Sequence, residues 1–268
     1  MGNIHKTAIV SPHADIHSTV DIGPNVFVDD NVSIGQGTRI LANAYITGYT
    51  KIGKDNEIHM GAVIGHDPQD YAFDKSIKSY VEIGNNNIIR EYCTIHRGTK
   101  PESTTTIGNN NFLMGGAHVA HNCTIGNNVI IANYAFFGGY VTVGDNAFIS
   151  GGVGIHQFVT IGRLAMLSGN GSFSQDVPPF LVGIGRNSIG SVNLVGLRRA
   201  GIAGDAIREI KNAYRIFYLS GLLKKKALME MEAAGFVSEE AAEFIAFFKT
   251  AKRPMATHRN INKTKKGE

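Results

Sequence analysis

Aliphatic residues recur along this chain at a spacing of six. The series runs Ile4, Val10, Ile16, Ile22, Val28, Ile34, Ile40, Ile46, Ile52, Ile58 and Ile64 without exception. It resumes in a new phase at Ile83, Ile89 and Ile95, meets Pro101, and continues from Ile107 through Leu113, Val119, Ile125, Ile131, Phe137, Val143, Ile149, Ile155, Ile161 and Leu167 to Phe173. Neither a helix with a period of about 3.6 nor a continuous strand with a period of about 2 produces a strict six. A solenoid of short strands separated by turns does, and three hexads then make one triangular coil of about 18 residues. Residues 4 to about 181 give roughly ten coils, stacked at the ~4.8 Å separation of neighbouring strands. Glycine often follows the anchor, as in Ile22-Gly23, Ile107-Gly108 and Val143-Gly144, and Asn or Asp commonly comes next. These residue types tolerate tight turns and positive φ.

Two segments interrupt the repeat: a long one from Gly65 to Tyr80 and a shorter one around Thr99 to Ser103. A solenoid accepts insertions at its corners, where long loops commonly carry binding residues. After Pro178-Pro179 the apolar spacing changes to three and four over residues 196–219, 222–234 and 238–251, which predicts about three amphipathic helices, the last capped by Ser238. The polar tail from Arg259 to Glu268 is expected to fray. The expected fold is mainly β: a parallel β-helix over residues 1–185 that carries the site, followed by a small α-helical C-terminal domain over residues 186–268.

Composition agrees with the repeat, since 32 glycines and only 18% charged residues are what glycine-bearing corners and recurring apolar anchors produce. A chain with 43% hydrophobic residues is too apolar for disorder. Cys93 and Cys123 make no disulfide framework, and no apolar leader or membrane-length apolar run is present, so a cytoplasmic protein without stable membrane insertion is expected. The net charge of +4 is unevenly divided. Residues 1–181 hold 10 Lys/Arg against 14 Asp/Glu, whereas residues 182–268 hold 16 against 8. No recognition motif or aromatic-interleaved basic stripe accompanies that basic part, so nucleic acid is not an expected partner.

The candidate chemistry lies in Ala117-His118-Val119-Ala120-His121-Asn122-Cys123 and in Ile155-His156-Gln157-Phe158. By the stacking rule His156 falls one residue off the column of His121, two coils away, or about 10 Å along the axis. Three imidazoles on one stripe imply a metal or proton transfer. For proton transfer His121 is the candidate general base, histidine being the side chain type suited to taking a proton from a hydroxyl near neutral pH. Backbone N–H groups of Gly138-Gly139 are candidate oxyanion donors. For a metal, zinc-dependent β-helix enzymes such as carbonic anhydrases use three histidines at a subunit interface. Their close pair is generally five apart in sequence, whereas His118 and His121 are three apart.

These segments, together with Ile95-His96-Arg97-Gly98-Thr99, Gln175-Asp176-Val177-Pro178-Pro179 and Gly196-Leu197-Arg198-Arg199, resemble those of the UDP-N-acetylglucosamine O-acyltransferases that begin lipid A synthesis. The resemblance spans nearly the whole chain. It implies a left-handed helix, an exception to the right-handed crossover rule. It also implies transfer of an R-3-hydroxyacyl chain from acyl carrier protein to the 3-position of a UDP-linked glucosamine, by a homotrimer with sites between neighbouring subunits. The 4′-phosphopantetheine thioester of the carrier would be the co-substrate, with no other cofactor and no metal.

Carried over by residue, the resemblance makes His121 the base and places His118 and His156 along the substrate cleft. Gln157 matches a nucleotide contact and Asp70 a sugar contact, while Asn193 and Arg199 match residues near the nucleotide and pantetheine phosphates. Gly169 falls where acyl length is set, and the basic C-terminal part would attract the acidic carrier. Four positions depart from the family pattern: Asn122 replaces an Asp, Tyr140 a His, Ala72 a Lys and Val195 an acidic residue. They leave open the same reaction on a 3-amino UDP-sugar, which would form an amide. A zinc-dependent enzyme and a catalytically silent trimeric scaffold are the readings from other classes.

Overall fold

The computed structural model describes residues 2–258, and the tail from Arg259 to Glu268 lies outside the described residues. Anchors of the six-residue repeat close short strands, as in Phe27–Val28, Tyr45–Ile46 and His118–Val119. Each strand pairs in parallel with those one coil below and above, giving three sheets of 9, 8 and 11 strands that form the sides of a prism. The register is the one the repeat predicts: Phe27 faces Tyr45, Phe112 faces Ile130 and Thr124 faces Thr142.

Successive side chains of a strand point to opposite faces, so the anchor enters the prism and the residue before it leaves. Ile46, Ile58, Ile64, Ile89, Ile131 and Phe173 are wholly buried. Each such side chain contributes about 1.5–3 kcal/mol. The outward residues differ by side: one presents His118, Phe136, Gly154 and Ser172, a second presents threonines at 106, 124, 142 and 160, and the third presents Ile88, Phe112, Ile130, Phe148 and Met166.

The corners correct one expectation. Positive φ falls three residues after the anchor, at Asn43, Asn110, Asn122, Asn128 and Asn146, and also at Tyr134, Tyr140 and Phe158. The glycine directly after the anchor is needed for space instead. A Cβ on Gly108 would stand 2.5 Å from the carbonyl oxygen of Gly126 in the next coil, and one on Gly162 would stand 2.3 Å from the Pro179 nitrogen.

The long excursion leaves the prism after the strand Val63–His66 and returns at Tyr80–Ile83. Arg97, nearly buried at 6% exposure, fastens it. Its Nε and Nη2 donate to Asp67 Oδ1 at 3.1 and 3.0 Å, and Nη1 and Nη2 donate to the carbonyls of Ile77 and Lys75 at 2.7 and 3.2 Å. The Phe73 ring lies 4.9 Å from the guanidinium carbon.

At the far end the antiparallel pair Leu181–Ile184 and Ser188–Val192 extends the third sheet, and Thr257–His258 returns to pair with it. Between these lie α1 (Leu194–Arg199), α2 (Gly204–Tyr214), α3 (Lys224–Ala233) and α4 (Glu239–Thr250). The helix expected over 196–219 is therefore broken. Gly201 takes φ +74°, Ile202 N–H donates to the Leu197 carbonyl and Gly201 N–H to that of Arg198, a Schellman stop that the apolar spacing did not reveal. Ser238 caps α4 as expected, accepting from Ala241 N–H. None of the described helices is long and apolar enough to cross a membrane.

Replacing Arg97 by Met should free the loop without opening the prism, because it leaves Asp67 unpaired and the loop carbonyls without a donor. Hydrogen exchange of residues 67–79 should accelerate by at least about tenfold. Unchanged protection there would mean that the guanidinium does not hold the loop.

Candidate active site

His121 sits two residues after the anchor Val119, where the chain turns off the side that carries His118. One coil on, residue 139 occupies the same corner, and its being glycine is what admits the imidazole. A Cβ on Gly139 would lie 2.2 Å from His121 Cε1 and 2.6 Å from Nε2. The ring therefore rests on the Gly139 backbone. The two expected oxyanion donors separate here. Gly138 N–H is spent in the sheet, donating to the Ile155 carbonyl at 2.8 Å, whereas Gly139 N–H has no acceptor among the described residues.

Around His121 a cleft of about 490 Å³ is lined by His96, His118, His156, Phe136, Ser172 and, from the long loop, Gln69. Thr94, His118, Phe136, Gly154 and Ser172 follow one another in register along one side, so a substrate lying in the cleft runs parallel to the prism axis. His118 Nδ1 is 2.7 Å from Thr94 Oγ1. His96 meets His118 edge-on at 4.9 Å. Burial, followed by the neighbouring His118, His66 and His121, pulls His96 down to about 4. Burial and His121 lower His118 as well. Both imidazoles are thereby kept neutral at neutral pH.

No carboxylate lines the cleft. Among the described residues no group of three or more His, Cys, Asp or Glu is disposed to hold a metal ion. Burial pushes the thiols of Cys93 and Cys123 up to about 12, so neither supplies a thiolate nucleophile.

The structure thus brings His118, His121 and His156 together as the stacking rule anticipated. It adds His96 and Gln69, which the sequence analysis assigned no role. His96 lies 24 residues before Ala120 rather than 18, because the short second excursion intervenes, and plain 18-residue arithmetic passes over it. The remaining predicted residues lie outside that lining. Asp70 is exposed on the loop next to Gln69, its Oδ1 accepting from Ala72 N–H at 2.9 Å. Gln157 is exposed at the corner one coil beyond Gly139. Gly169 is exposed too, and a Cβ there would meet nothing closer than the Gly151 oxygen at 3.5 Å, so it leaves space that a side chain would take. Asn193 is committed inside the chain, accepting from Gly196 N–H to cap α1 and donating to the Leu164 carbonyl at 2.8 Å. Arg199 is exposed in the last turn of α1 beside Arg198.

The three-sided parallel β-helix built on a six-residue repeat is that of the hexapeptide-repeat transferases, and similarity to known proteins places the chain among the acyltransferases of that class. The bacterial transferase hexapeptide model matches residues 31–66 and 104–139, and the model for the second domain of UDP-N-acetylglucosamine O-acyltransferases matches residues 176–256. The chain is 44% identical to the acyl-[acyl-carrier-protein]–UDP-N-acetylglucosamine O-acyltransferase of Thermodesulfovibrio yellowstonii over 94% of its length and 98% of that relative. It is 47% identical to the enzyme of the same name from Gloeothece citriformis over 70% of its length and 68% of that relative. The crystal structure of the UDP-N-acetylglucosamine acyltransferase from Bacteroides fragilis superimposes with a TM-score of 0.91 at 42% identity, covering 94% of this chain and 99% of the other. That from Francisella novicida gives 0.93 at 35% identity, covering 96% and 95%. The chain belongs to the acyl-[acyl-carrier-protein]–UDP-N-acetylglucosamine O-acyltransferase family, and its β-helix is the left-handed one of that family.

Two outcomes follow from this geometry. Gly139→Ala should displace the His121 ring and cut turnover by about 100-fold or more, with the circular dichroism spectrum and melting temperature close to those of the parent. Full activity would show that the ring does not rest there during catalysis. Because the folded protein holds His96 at about 4 and the unfolded chain near the ordinary 6.5, the unfolded state binds more protons between those values. Stability should therefore fall as pH drops through that window, by roughly 3 kcal/mol in all. His96→Gln should flatten the fall in urea titrations, and an equally steep loss in the variant would assign it to other groups.

Proposed function

We propose that the chain transfers an R-3-hydroxyacyl group from the 4′-phosphopantetheine thioester of acyl carrier protein to the 3-hydroxyl of UDP-N-acetylglucosamine, as a cytoplasmic homotrimer. The observation that carries the reading is the His121 imidazole resting on the Gly139 corner, beside an N–H with no acceptor among the described residues. Family membership supplies the substrates, and the corner supplies the chemistry.

His121 Nε2 takes the proton of the 3-hydroxyl as its oxygen attacks the thioester carbonyl carbon. The carbonyl oxygen becomes an oxyanion, for which Gly139 N–H is the available donor. Collapse of the tetrahedral intermediate breaks the C–S bond, and the His121 imidazolium returns the proton to the departing pantetheine thiolate. No other cofactor is needed. His118, held neutral by its burial, and His156 contact substrate as hydrogen-bonding walls, and Asp70 and Gln157 contact the sugar and nucleotide from their exposed positions. Gly169 leaves room for the acyl chain, and Arg199, with its planar fork, suits a phosphate. For Asn193, already engaged at both ends of its amide, we propose a part in placing α1 next to the nucleotide.

The apolar row Ile88, Phe112, Ile130, Phe148 and Met166, with Tyr134 and Phe136 63% and 49% exposed at the adjoining corner and side, supports the trimer. Apolar surface of that continuity ordinarily marks a subunit interface. The basic excess in residues 182–268 supports docking of an acidic carrier protein.

Incubation with R-3-hydroxyacyl carrier proteins of several chain lengths and with UDP-N-acetylglucosamine should yield an O-acylated nucleotide. His121→Ala should reduce its formation by about 1,000-fold while leaving the fold intact. Product only with a 3-amino acceptor would replace the ester reading with the amide one. No product with either would overturn the reading.

A further inference from the structure

The residue after His121 is Asn122, not a carboxylate, and its surroundings decide what it can do. Its φ is +59° and its own N–H donates to Thr105 Oγ1 at 2.7 Å, so its place at the corner is held from below. Its side-chain oxygen receives three contacts: Thr99 N–H at 3.0 Å, Thr99 Oγ1 at 2.9 Å and His121 Nδ1 at 3.0 Å. A backbone N–H can only donate, so the amide must turn its oxygen, not its NH₂, toward Thr99. That same oxygen can pair with His121 Nδ1 only if Nδ1 carries the proton. The Thr99 hydroxyl, donating to this oxygen, must then accept from the Tyr140 hydroxyl at 3.1 Å. The proton inventory closes in one way.

We propose that Thr99 and Asn122 are positioning residues that fix the tautomer of His121, holding a proton on Nδ1 so that Nε2 stays a free acceptor facing the cleft. Tyr140 completes the chain with its hydroxyl and packs its ring against His121, edge to face at 5.4 Å. This rests on the reading of His121 as the base and adds what determines which nitrogen acts. The partner is neutral, so the imidazolium formed in the reaction is oriented by an amide dipole rather than neutralised by a carboxylate. The other titratable groups facing His121 are His118, His96 and His156 in the cleft and Tyr140 on the next coil, with Lys100 Nζ 6.0 Å from the centre of the Tyr140 ring. None of them is a carboxylate.

The test uses the full chain, selectively labelled with ¹⁵N-histidine, and steady-state kinetics across pH. Asn122→Gly deletes the amide at a positive φ that glycine accepts without strain. It should move His121 away from the Nδ1–H tautomer in two-bond ¹H–¹⁵N correlations and lower kcat by about 10- to 100-fold, with KM changed less than about twofold. Asn122→Asp keeps the acceptor and adds charge. It should preserve the Nδ1–H tautomer and shift the acidic limb of the kcat/KM profile upward by about one pH unit. Thr99→Val, which keeps the backbone donor but not the hydroxyl, should lose about threefold to tenfold in kcat. An unchanged His121 tautomer in Asn122→Gly, a loss confined to KM, or an unmoved acidic limb in Asn122→Asp would each overturn the proposal. Full activity of His121→Ala would instead remove the base reading and leave the tautomer result standing.

Discussion

Within the prism each inner strand is bound to those one coil below and above, at the spacing of adjacent strands, and no side chain there can be chosen without regard to that column. Inside, the constraint favours isoleucine on isoleucine, since Ile34, Ile52, Ile83, Ile107 and Ile125 succeed one another on one side of the core. At the corner between the threonine side and the apolar side it favours asparagine on asparagine. There Asn85 N–H donates to Asn109 Oδ1, Asn109 N–H to Asn127 Oδ1 and Asn127 N–H to Asp145 Oδ1, so each side chain satisfies a backbone donor of the coil before it. On the histidine side the same rule is restrictive, because a ring projecting along the axis needs an empty place on the next coil. His121 has one in Gly139.

The columns also explain how the sequence could be read and where it could not. The anchors are visible because their spacing is independent of any partner, and so the prism, its corners and the stripe of His118, His121 and His156 follow from arithmetic. What escapes is whatever depends on an insertion. From residue 49 on, the offset between stacked positions becomes 31 and then 24, as in Val63 opposite Thr94 and Thr94 opposite His118, before returning to 18. His96 and Gln69 lie on the near side of those jumps. The break at Gly201 escaped for a different reason: it depends on one glycine adopting a left-handed conformation between two stretches whose apolar spacing is in phase. The double role of corner glycines was hidden too, since space and positive φ call for the same residue.

The cleft's electrostatics come from what surrounds it more than from what lies in it. His96 is held neutral by burial and by the neighbouring His118, His66 and His121, and His118 by burial and His121, so they offer hydrogen-bonding capacity without charge to a substrate that brings its own negative groups. Further cationic residues, Arg199 on α1 and the lysines of α3, lie in the helical end of the chain. Under the proposed reaction, charge at the reacting centre develops only in the transition state, the condition under which a single backbone donor has most effect.

One short segment connects these separate demands. Strand Thr94–His96 and the corner after it place Thr94 against His118, His96 in the cleft wall, Arg97 beneath the long loop and Thr99 on the amide of Asn122. Gly98 lies between, so close to Ser103 that a Cβ would stand 2.3 Å from its hydroxyl oxygen, while its carbonyl accepts from Ser79. The segment can serve the loop, the wall and the His121 corner at once because a tight corner sends successive side chains in different directions. It also means that the two excursions from the regular repeat are not independent decorations. The first brings Gln69 to the cleft on a loop that Arg97 fastens at Asp67, Lys75 and Ile77, and the second begins at the threonine whose N–H donates to the Asn122 oxygen that pairs with His121. Both departures from the six-residue rule therefore converge on the one corner where the rule leaves room for chemistry.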